Sequence, residues 1–271
     1  MTSHTSPTTS AAQPRILVER RDGVAIVTLN RPQERNPLGL GFPDEIMGIL
    51  QELEDDLSLH AIVLTGAGSV FCAGAELGKV VHPDGVDPEV QFRFIRGLHK
   101  VVQRIRDLEL PVIAAVNGAA VGGGAALAMA CDIAVASERA KYFFAFGRLG
   151  AAACDMGCSY LLPKIVGTIR AKHWLLTGAT IEAAEGKAAG LFVDVVPADH
   201  LLAAALEIAG AIKVATPRRA AAASKLAIVR GEDADLQTCI TYETYMQTYL
   251  FSTDDHKSRL SLLMNRSKPG R

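Results

Sequence analysis

The chain has 271 residues, 49% of them apolar, which is enough to bury a large core in one domain or two. Its net charge of -1 provides no extended positive surface for nucleic acid or an anionic membrane, so an anionic ligand has to be held by a few local cations. The five cysteines form no C-x-x-C pair, which favours reduced thiols in a cytosolic protein over a disulfide framework or a zinc site.

Neither the N-terminal segment nor the longest uncharged stretch predicts a membrane anchor. Residues 1–14 are rich in Ser, Thr and Pro and contain no apolar run, which predicts a disordered tail. The stretch from Pro111 to Cys131 has the length of a membrane span, but Asn117 and many small residues favour a buried strand, turn and helix. We therefore expect a cytoplasmic protein that does not contact membranes.

Strand and helix patterns alternate along the first half of the chain. Two β-branched segments at 16–20 and 24–30 flank Asp22-Gly23 and predict a hairpin. The next predicted elements are, in order, a helix at 42–57, a strand at 61–66, a helix at 88–108, a strand at 111–117, a helix at 122–131 and a strand at 132–137. This alternation predicts an α/β fold of parallel strands, with ligands at the carboxyl ends of the strands.

The second half of the chain is predicted to be mostly helical. Apart from a strand at 193–196, helical patterns cover 155–166, 169–177, 181–188, 198–213, 217–229, 236–252 and 256–265. We divide the chain into a tail at 1–14, a core at 15–200 that holds the site, and a helical region at 201–271 that covers the site and makes subunit contacts.

Two glycine-rich turns each follow a predicted strand: GSVFCAGAEL at 68–77, and VNGAAVGGGAALA at 116–128, which leads into a helix. Amide N–H groups at a helix start lack intrahelical partners and lie at the positive end of the helix dipole, so Gly123 and Gly124 can present donors to an oxyanion. If the N–H of Ala75 converges with that of Gly123, the pair would stabilise the enolate of a thioester. Close backbone packing is the alternative interpretation of each turn. Neither turn has the spacing of a dinucleotide-binding or P-loop motif.

Five segments resemble successive signatures of the enoyl-CoA hydratase/isomerase (crotonase) superfamily. They are RPQERNPL (31–38), VFCAGAEL (70–77), PVIAAVNGAAVGGGAALAMACDIAVAS (111–137), CDMGCSYLLPKIVG (154–167) and LLTGATIEAAEGKAAGLFVDVV (175–196). The resemblance implies a ββα spiral core with a helical C-terminal trimerisation region, assembled as homotrimers or dimers of trimers. It also implies fatty acid metabolism on acyl-CoA thioesters, with coenzyme A as part of the substrate and no separate cofactor or metal.

The resemblance also assigns site residues. It places the two oxyanion donors at Ala75 and Gly123, in agreement with the glycine-rich turns. The acyl-CoA is then expected to contact Arg35, Ala73, Gly74, Glu76, Leu77, Gly122 and Phe146. Both glutamates that a hydratase of this family uses are replaced, because Ala126 stands at the first place and the second falls on or next to Phe146.

Asp155, in ACDMG, is the leading catalytic candidate, because it resembles the acid position of superfamily members that shuttle one proton or attack as a nucleophile. We expect Asp155 to open a helix, where the dipole favours the ionised carboxylate and therefore a base. The alternative is that its side chain caps this helix by accepting from the N–H of Gly157 or Cys158.

Several other side chains have both a functional and a structural interpretation. Glu76 either shapes the mouth of the acyl pocket or is an exposed structural residue. Arg35 and Lys79 are candidate partners for the phosphates of coenzyme A, and Lys268 for the ligand of a neighbouring subunit, although surface cations usually have no specific partner.

The remaining candidates are aromatic, thiol and imidazole side chains. The aromatic cluster lines the acyl pocket or belongs to the core, Cys154 and Cys158 are interpreted as ordinary thiols, and His99 and His173 as surface or packing residues. The cluster consists of Tyr142, Phe143, Phe144 and Phe146.

The sequence thus predicts an enzyme that binds an acyl-CoA, stabilises its enolate at Ala75 and Gly123, and moves a proton with Asp155. A double-bond isomerase needs one carboxylate, whereas hydration normally uses two, although a hydratase-type reaction stays open. The alternatives are an acyl-CoA-binding pseudoenzyme that has lost the chemistry, and a specialised lyase, decarboxylase or hydrolase of a biosynthetic thioester.

Overall fold

A computed structural model of the chain describes residues 14–266, which contain ten strands and ten α-helices. The strands are β1 (Ile16–Arg21), β2 (Val24–Leu29), β3 (Ala61–Gly66), β4 (Val70–Cys72), β5 (Val112–Val116), β6 (Ala119–Val121), β7 (Ile133–Ser137), β8 (Lys141–Phe143), β9 (Thr180–Glu182) and β10 (Asp194–Val196). The helices are α1 (Phe42–Asp55), α2 (Pro88–Asp107), α3 (Gly123–Ala130), α4 (Cys158–Val166), α5 (Thr168–Thr177), α6 (Ala183–Ala189), α7 (Leu201–Ala215), α8 (Arg218–Gly231), α9 (Leu236–Phe251) and α10 (Asp254–Arg266).

A six-stranded sheet in the order β1-β2-β3-β5-β7-β10 forms the centre of the fold. β1 and β2 are the predicted antiparallel hairpin, and Asp22 and Gly23 turn it with φ of 52° and 81°. From β2 onward the strands pair in parallel. β3 and β5 are almost entirely buried and apolar, as expected for parallel strands covered on both faces. The predicted α/β fold is confirmed.

Helices cover both faces of the six-stranded sheet. On one face, α7 packs Leu201, Ala205 and Ala209 against residues of β3 and β5 such as Val63 and Ile113. On the other face lies a larger apolar cluster, to which α1, α2 and α3 all contribute. The predicted apolar face of α1 is buried through Ile46, Leu50 and Leu53, and Ile49 packs at its edge.

A second sheet of four short strands, in the order β4-β6-β8-β9, was not predicted. Each of its strands has three residues, which is too short for an alternating pattern to be recognised. One helix prediction is corrected here: the segment predicted as a helix from 181 begins with β9, and α6 follows it. β4, β6 and β8 are parallel, whereas β9 pairs antiparallel with β8.

The C-terminal helices differ in how much they bury. α8 is fixed to the core through Lys225, which is 7% exposed and donates to the carbonyls of Ile105 and Leu110 while pairing with Asp132 at 2.8 Å. α9, by contrast, has no buried residue, although it carries several apolar side chains. These helices agree with the predicted helical C-terminal region.

The segment Pro111–Cys131 forms β5, β6 and α3, as predicted, and not a single long helix. Within residues 14–266, no helix combines the length and the apolar character needed to cross a membrane.

The contact between β4 and α3 predicts a steric effect at Gly124. A Cβ at this position would lie 2.4 Å from the carbonyl oxygen of Cys72, so the backbones would have to separate. We expect Gly124→Ala to lower the free energy of unfolding by about 1 to 3 kcal/mol in urea titrations. The control is Gly48→Ala in α1, where a Cβ meets no atom within 4 Å, and there we expect a gain of about 1 kcal/mol. Equal effects of the two substitutions would contradict the steric argument.

Candidate active site

Three parallel strands of the small sheet end at one edge, and each leads into a segment that the sequence assigned to the site. β4 is followed by residues 73–77, β6 by Gly122 and Gly123, and β8 by a short 3₁₀ helix, Ala145–Leu149, that contains Phe146. The carboxyl ends of parallel strands are where α/β proteins bind their ligands. The unpredicted small sheet therefore explains why these separate segments meet.

The amide of Ala75 is left free by the way its neighbours pair. Leu38 N donates to the carbonyl of Gly74 at 2.7 Å, and Glu76 N donates to the carbonyl of Leu38 at 3.0 Å. Leu38 and Ala75 thus form a parallel bridge, in which Leu38 bonds to the residues on either side of Ala75. The N–H of Ala75 itself therefore points away from Leu38. The N–H of Ala75 donates to no backbone carbonyl within residues 14–266.

Gly123 is the first residue of α3, so its N–H has no intrahelical acceptor and lies at the positive end of the helix. Gly122 before it has φ of 51° and donates to the carbonyl of Phe143 at 2.7 Å. Gly74 allows the two turns to touch, since a Cβ there would lie 2.6 Å from Val121 O and 3.4 Å from Gly123 N. The turn containing Ala75 thus lies directly against the one containing Gly123.

The two places at which the resemblance expects glutamates hold apolar side chains. Ala126 is fully buried within α3. Phe146 lies against the second turn, because a Cβ at Gly122 would be 3.5 Å from its ring carbon Cε1. The aromatic ring therefore borders the proposed oxyanion donors, and neither residue can exchange a proton.

The structure corrects the predicted placement of Asp155. α4 begins at Cys158 with Gly157 as its N-cap, so Asp155 lies in the preceding loop and does not open the helix. Its carboxylate does not cap the helix either: Oδ1 accepts from the N–H of Met156 at 2.7 Å. The bond from Cys158 N goes to the backbone carbonyl of Asp155, at 3.0 Å.

His99 is the residue that sequence reasoning missed. Its Nε2 lies 2.7 Å from Oδ1 of Asp155, and a carboxylate accepts, so Nε2 carries the hydrogen. His99 lies on the surface, as interpreted, with its side chain 47% exposed, but it also has a specific partner that the interpretation did not include. The available signal was its place on α2 beside the buried Leu98 and Val102, at the border of the buried face. Both bonds to the carboxylate end on Oδ1, and Oδ2 accepts none from residues 14–266.

One interpretation of Glu76 was an exposed structural residue, and the structure corrects this exposure. Glu76 is 9% accessible and forms ion pairs. Arg31 Nη2 lies 2.8 Å and Lys79 Nζ 2.7 Å from Oε1 of Glu76. The hydrogen bond from Arg31, reinforced by Lys79, lowers the pKa of Glu76 to about 2. Arg31 also pairs with Glu34, so this cation fixes the segment directly after Ala75 to the segment after β2.

The remaining predicted contacts lie nearby or outside the described residues. Arg35 is exposed, and its carbonyl accepts from Ala73 N at 2.9 Å, which joins two predicted substrate contacts. Leu77 is exposed beside Glu76. Lys79 belongs to the ion pairs of Glu76, and Lys268 lies outside residues 14–266.

The aromatic cluster divides between core and site. Tyr142 and Phe144 are fully buried, and Tyr142 stacks edge-to-face on Phe192, so both belong to the core. Burial raises the pKa of Tyr142 well above its ordinary value, and that of Cys158 to about 12. Cys158 thus agrees with its interpretation as an ordinary buried thiol. Residues 14–266 contain no group of three or more metal-ligating side chains.

The ion pairs of Glu76 predict a loss of stability in acid. Its pKa of about 2 lies below the ordinary 4.5, so the ionised carboxylate stabilises the fold above about pH 4.5, and this contribution is lost as the pH falls toward 2. The full contribution is about 3 kcal/mol. We expect Glu76→Gln to be less stable than the wild type at pH 7, with a difference that shrinks by about 1 kcal/mol at pH 3.5. Urea titrations at both pH values measure this difference, and a constant difference would contradict it.

The chain is similar to proteins that catalyse different reactions on coenzyme A esters. The family model described as enoyl-CoA hydratase/isomerase matches residues 19–269. A 4-chlorobenzoyl coenzyme A dehalogenase of Arthrobacter sp. is 37% identical over 256 residues, covering 93% of this chain and 91% of the relative. The crystal structure of an enoyl-CoA hydratase from Bacillus anthracis matches with a TM-score of 0.88 and 32% identity, covering 95% of this chain and 98% of that one.

A monofunctional enoyl-CoA isomerase of M. smegmatis has a crystal structure that matches with a TM-score of 0.71 and 36% identity, over 83% of this chain and 98% of that one. The range matched by the family model, residues 19–269, includes both glycine-rich turns. The chain belongs to the enoyl-CoA hydratase/isomerase family and is an acyl-CoA enzyme of that type.

Proposed function

We propose that the protein is an enoyl-CoA double-bond isomerase in which Asp155 carries the proton. The observation that supports this most is the 2.7 Å contact between His99 Nε2 and Asp155 Oδ1, which leaves Oδ2 of the carboxylate without a partner among residues 14–266. A carboxylate held at one oxygen and free at the other has the geometry of a general base.

In the proposed reaction, the N–H groups of Ala75 and Gly123 bind the thioester oxygen of a 3-enoyl-CoA. Oδ2 of Asp155 removes a proton from the α-carbon, and the electron pair moves into the thioester to form a dienolate. Donors fixed before the reaction stabilise such an oxyanion strongly in a site that excludes water. Asp155 then returns the same proton to the γ-carbon, so that the double bond moves and no co-reactant is consumed.

The scarcity of acids around the site favours isomerisation over hydration. Hydration needs one group to activate water and another to protonate the α-carbon. Glu76, the other carboxylate beside the turns, stays ionised because Arg31 and Lys79 hold its pKa near 2, and it cannot supply a proton. Ala126 and Phe146 stand where the family's two glutamates are expected. One carboxylate is sufficient for a shift of a single proton.

A second candidate reaction is substitution on an aryl-CoA, and the His99–Asp155 pair favours it together with the dehalogenase relative. Oδ2 of Asp155 would attack the carbon that bears the leaving group, which departs with its bonding electrons. His99 is about half exposed, so its Nδ1 can take a proton from water. The resulting hydroxide would hydrolyse the aryl ester and restore the carboxylate.

Turnover of two substrates by Asp155→Asn and His99→Gln separates these reactions. With a 3-enoyl-CoA, we expect Asp155→Asn to lower kcat about a thousandfold and His99→Gln about tenfold, because only the first removes the base. The measurement is the absorbance of the conjugated 2-enoyl product, with binding of the same CoA ester followed by calorimetry. Gln51→Leu, which changes an exposed residue of α1, is the control.

Unchanged isomerisation by Asp155→Asn would exclude the proposed base. Release of halide from 4-chlorobenzoyl-CoA, without isomerisation of the enoyl ester, would instead support substitution. Tight binding of both esters without turnover of either would support the pseudoenzyme.

We also propose that the protein assembles as a homotrimer or a dimer of trimers through its C-terminal helices, in a cytoplasmic location that suits its free thiols. α9 supports this assembly, because none of its residues is buried in the protomer. Its exposed apolar side chains are those of Leu236, Ile240, Tyr245, Tyr249 and Phe251. An exposed apolar surface of this kind is typical of an interface.

Light scattering after gel filtration tests the assembly. We expect the wild type to have at least three times the 28.8 kDa mass of one chain. The double substitution Leu236→Glu with Tyr245→Glu places two carboxylates on α9 and is expected to reduce the mass to that of one chain. Leu57→Glu changes an equally exposed leucine outside α9 and should leave the mass unchanged. A wild type that elutes as a single chain would contradict the proposal.

A further inference from the structure

Met156 combines backbone strain with burial next to the proposed base. Its φ is 48°, in the left-handed region that residues other than glycine and asparagine rarely adopt. The residue is nevertheless 1% exposed, so its side chain is enclosed by the core. Left-handed residues with side chains persist where the surrounding structure holds them, and they concentrate at functional sites.

The backbone of Met156 acts on the carboxylate of Asp155. Its N–H donates to Oδ1 at 2.7 Å, the same oxygen that His99 contacts. Two donors on one oxygen fix the orientation of the carboxylate, and the other oxygen remains available. Gly157, with φ of 82°, continues the left-handed turn and is the N-cap of α4, so the strained conformation directly precedes a helix.

The side chain of Met156 contacts the other half of the site. A Cβ at Gly123 would lie 3.0 Å from the Sδ atom of Met156 and 2.9 Å from Cδ1 of Leu38. The thioether therefore packs directly on the Cα of the residue whose N–H is the proposed oxyanion donor. Leu38, the second contact, pairs with the Ala75 segment that carries the other donor.

We propose that Met156 is a positioning residue that fixes the distance between the base and the oxyanion donors, with its N–H on Asp155 and its thioether on Gly123. The proposal rests on the proposed function, because it assigns these two groups to one reaction. A proton moves efficiently only if the carboxylate and the enolate oxygen are placed correctly at the same time. Met156 contacts both Asp155 and Gly123, so one residue connects the proposed base directly to a proposed oxyanion donor.

The experiment compares Met156→Ala with Met129→Ala. Met129 is a similarly buried methionine in α3, so its truncation leaves a similar cavity away from Asp155. Three quantities are measured: kcat and KM for a 3-enoyl-CoA, exchange of the α-protons of butyryl-CoA in deuterium oxide by NMR, and the red shift of cinnamoyl-CoA absorption on binding. The red shift reports how strongly the two N–H groups polarise the thioester carbonyl, and it requires no turnover.

For Met156→Ala we expect kcat and the exchange rate to fall at least about tenfold, KM to stay within about twofold, and the red shift to decrease. Met129→Ala should lose stability without changing any of the three. Met156→Leu conserves the volume and the N–H, so it should keep kcat within about threefold of the wild type. If Met156→Ala does not fold, Met156→Gly adopts the φ without strain and carries the same expectation.

Equal behaviour of the Met156 and Met129 variants in kcat and red shift would show that Met156 only packs, and would overturn the proposal. Asp155→Asn separates this failure from that of the proposed function. If Asp155→Asn abolishes exchange while Met156→Ala retains it, the function stands and the positioning role falls. If Asp155→Asn exchanges protons at the wild-type rate, the base assignment falls, and with it the distance that Met156 was proposed to fix.

Discussion

The close contact of the backbones that follow β4 and β6 is the constraint on which the rest of the site depends. Glycine is required at this contact, because a Cβ at Gly74 would lie 2.6 Å from Val121 O and one at Gly124 would lie 2.4 Å from Cys72 O. Glycine is also required just before β6, where a Cβ at Gly118 would lie 1.9 Å from the carbonyl oxygen of Ser69. Any side chain at these positions would separate the amides of Ala75 and Gly123, and two donors that do not converge cannot share one oxygen. The glycines thus allow the close backbone packing, and the same packing would bring the two amides together in the proposed oxyanion hole, so the two interpretations of each turn are compatible.

Near this contact, two carboxylates have different environments, which suit the different roles proposed for them. Glu76 is nearly enclosed between Arg31 and Lys79, which keep it ionised and fix the chain next to Ala75. Within residues 14–266, the carboxylate of Asp155 is bound by an imidazole and a backbone amide, both on one oxygen. A carboxylate between two cations is a poor proton carrier, whereas a carboxylate with one oxygen left without a partner can approach a substrate proton, as proposed for Asp155. The assignment of roles follows from these partners and not from the residue type, which is nearly the same at both positions.

The sequence was sufficient for the large sheet and for most helices, since long apolar strands and amphipathic helices have strong periodic patterns. It was insufficient for the small sheet, whose three-residue strands have no measurable period and are held by tertiary contacts. The turns around Ala75 and Gly123 could be recognised because glycine and a following helix mark them locally. The pairing of His99 with Asp155 could not be predicted, because the two residues lie 56 positions apart and their contact depends on how α2 packs. The loop of Asp155 was taken for a helix start, because consecutive left-handed residues at Met156 and Gly157 delay the helix.

None of the residues of α9 is buried in the protomer that the structure describes, so tertiary packing within the protomer stabilises this helix weakly. A helix of 16 residues is marginal in water, and most helical stability in proteins comes from tertiary packing. α9 therefore gains little free energy from its own protomer, and in the proposed assembly the free energy that it gains from neighbouring subunits would follow mass action. The folded fraction of this helix should then depend on protein concentration, while the parallel sheet, which is buried within one protomer, should not. Dilution would loosen the C-terminal end of the molecule first and leave the edge of the small sheet in place.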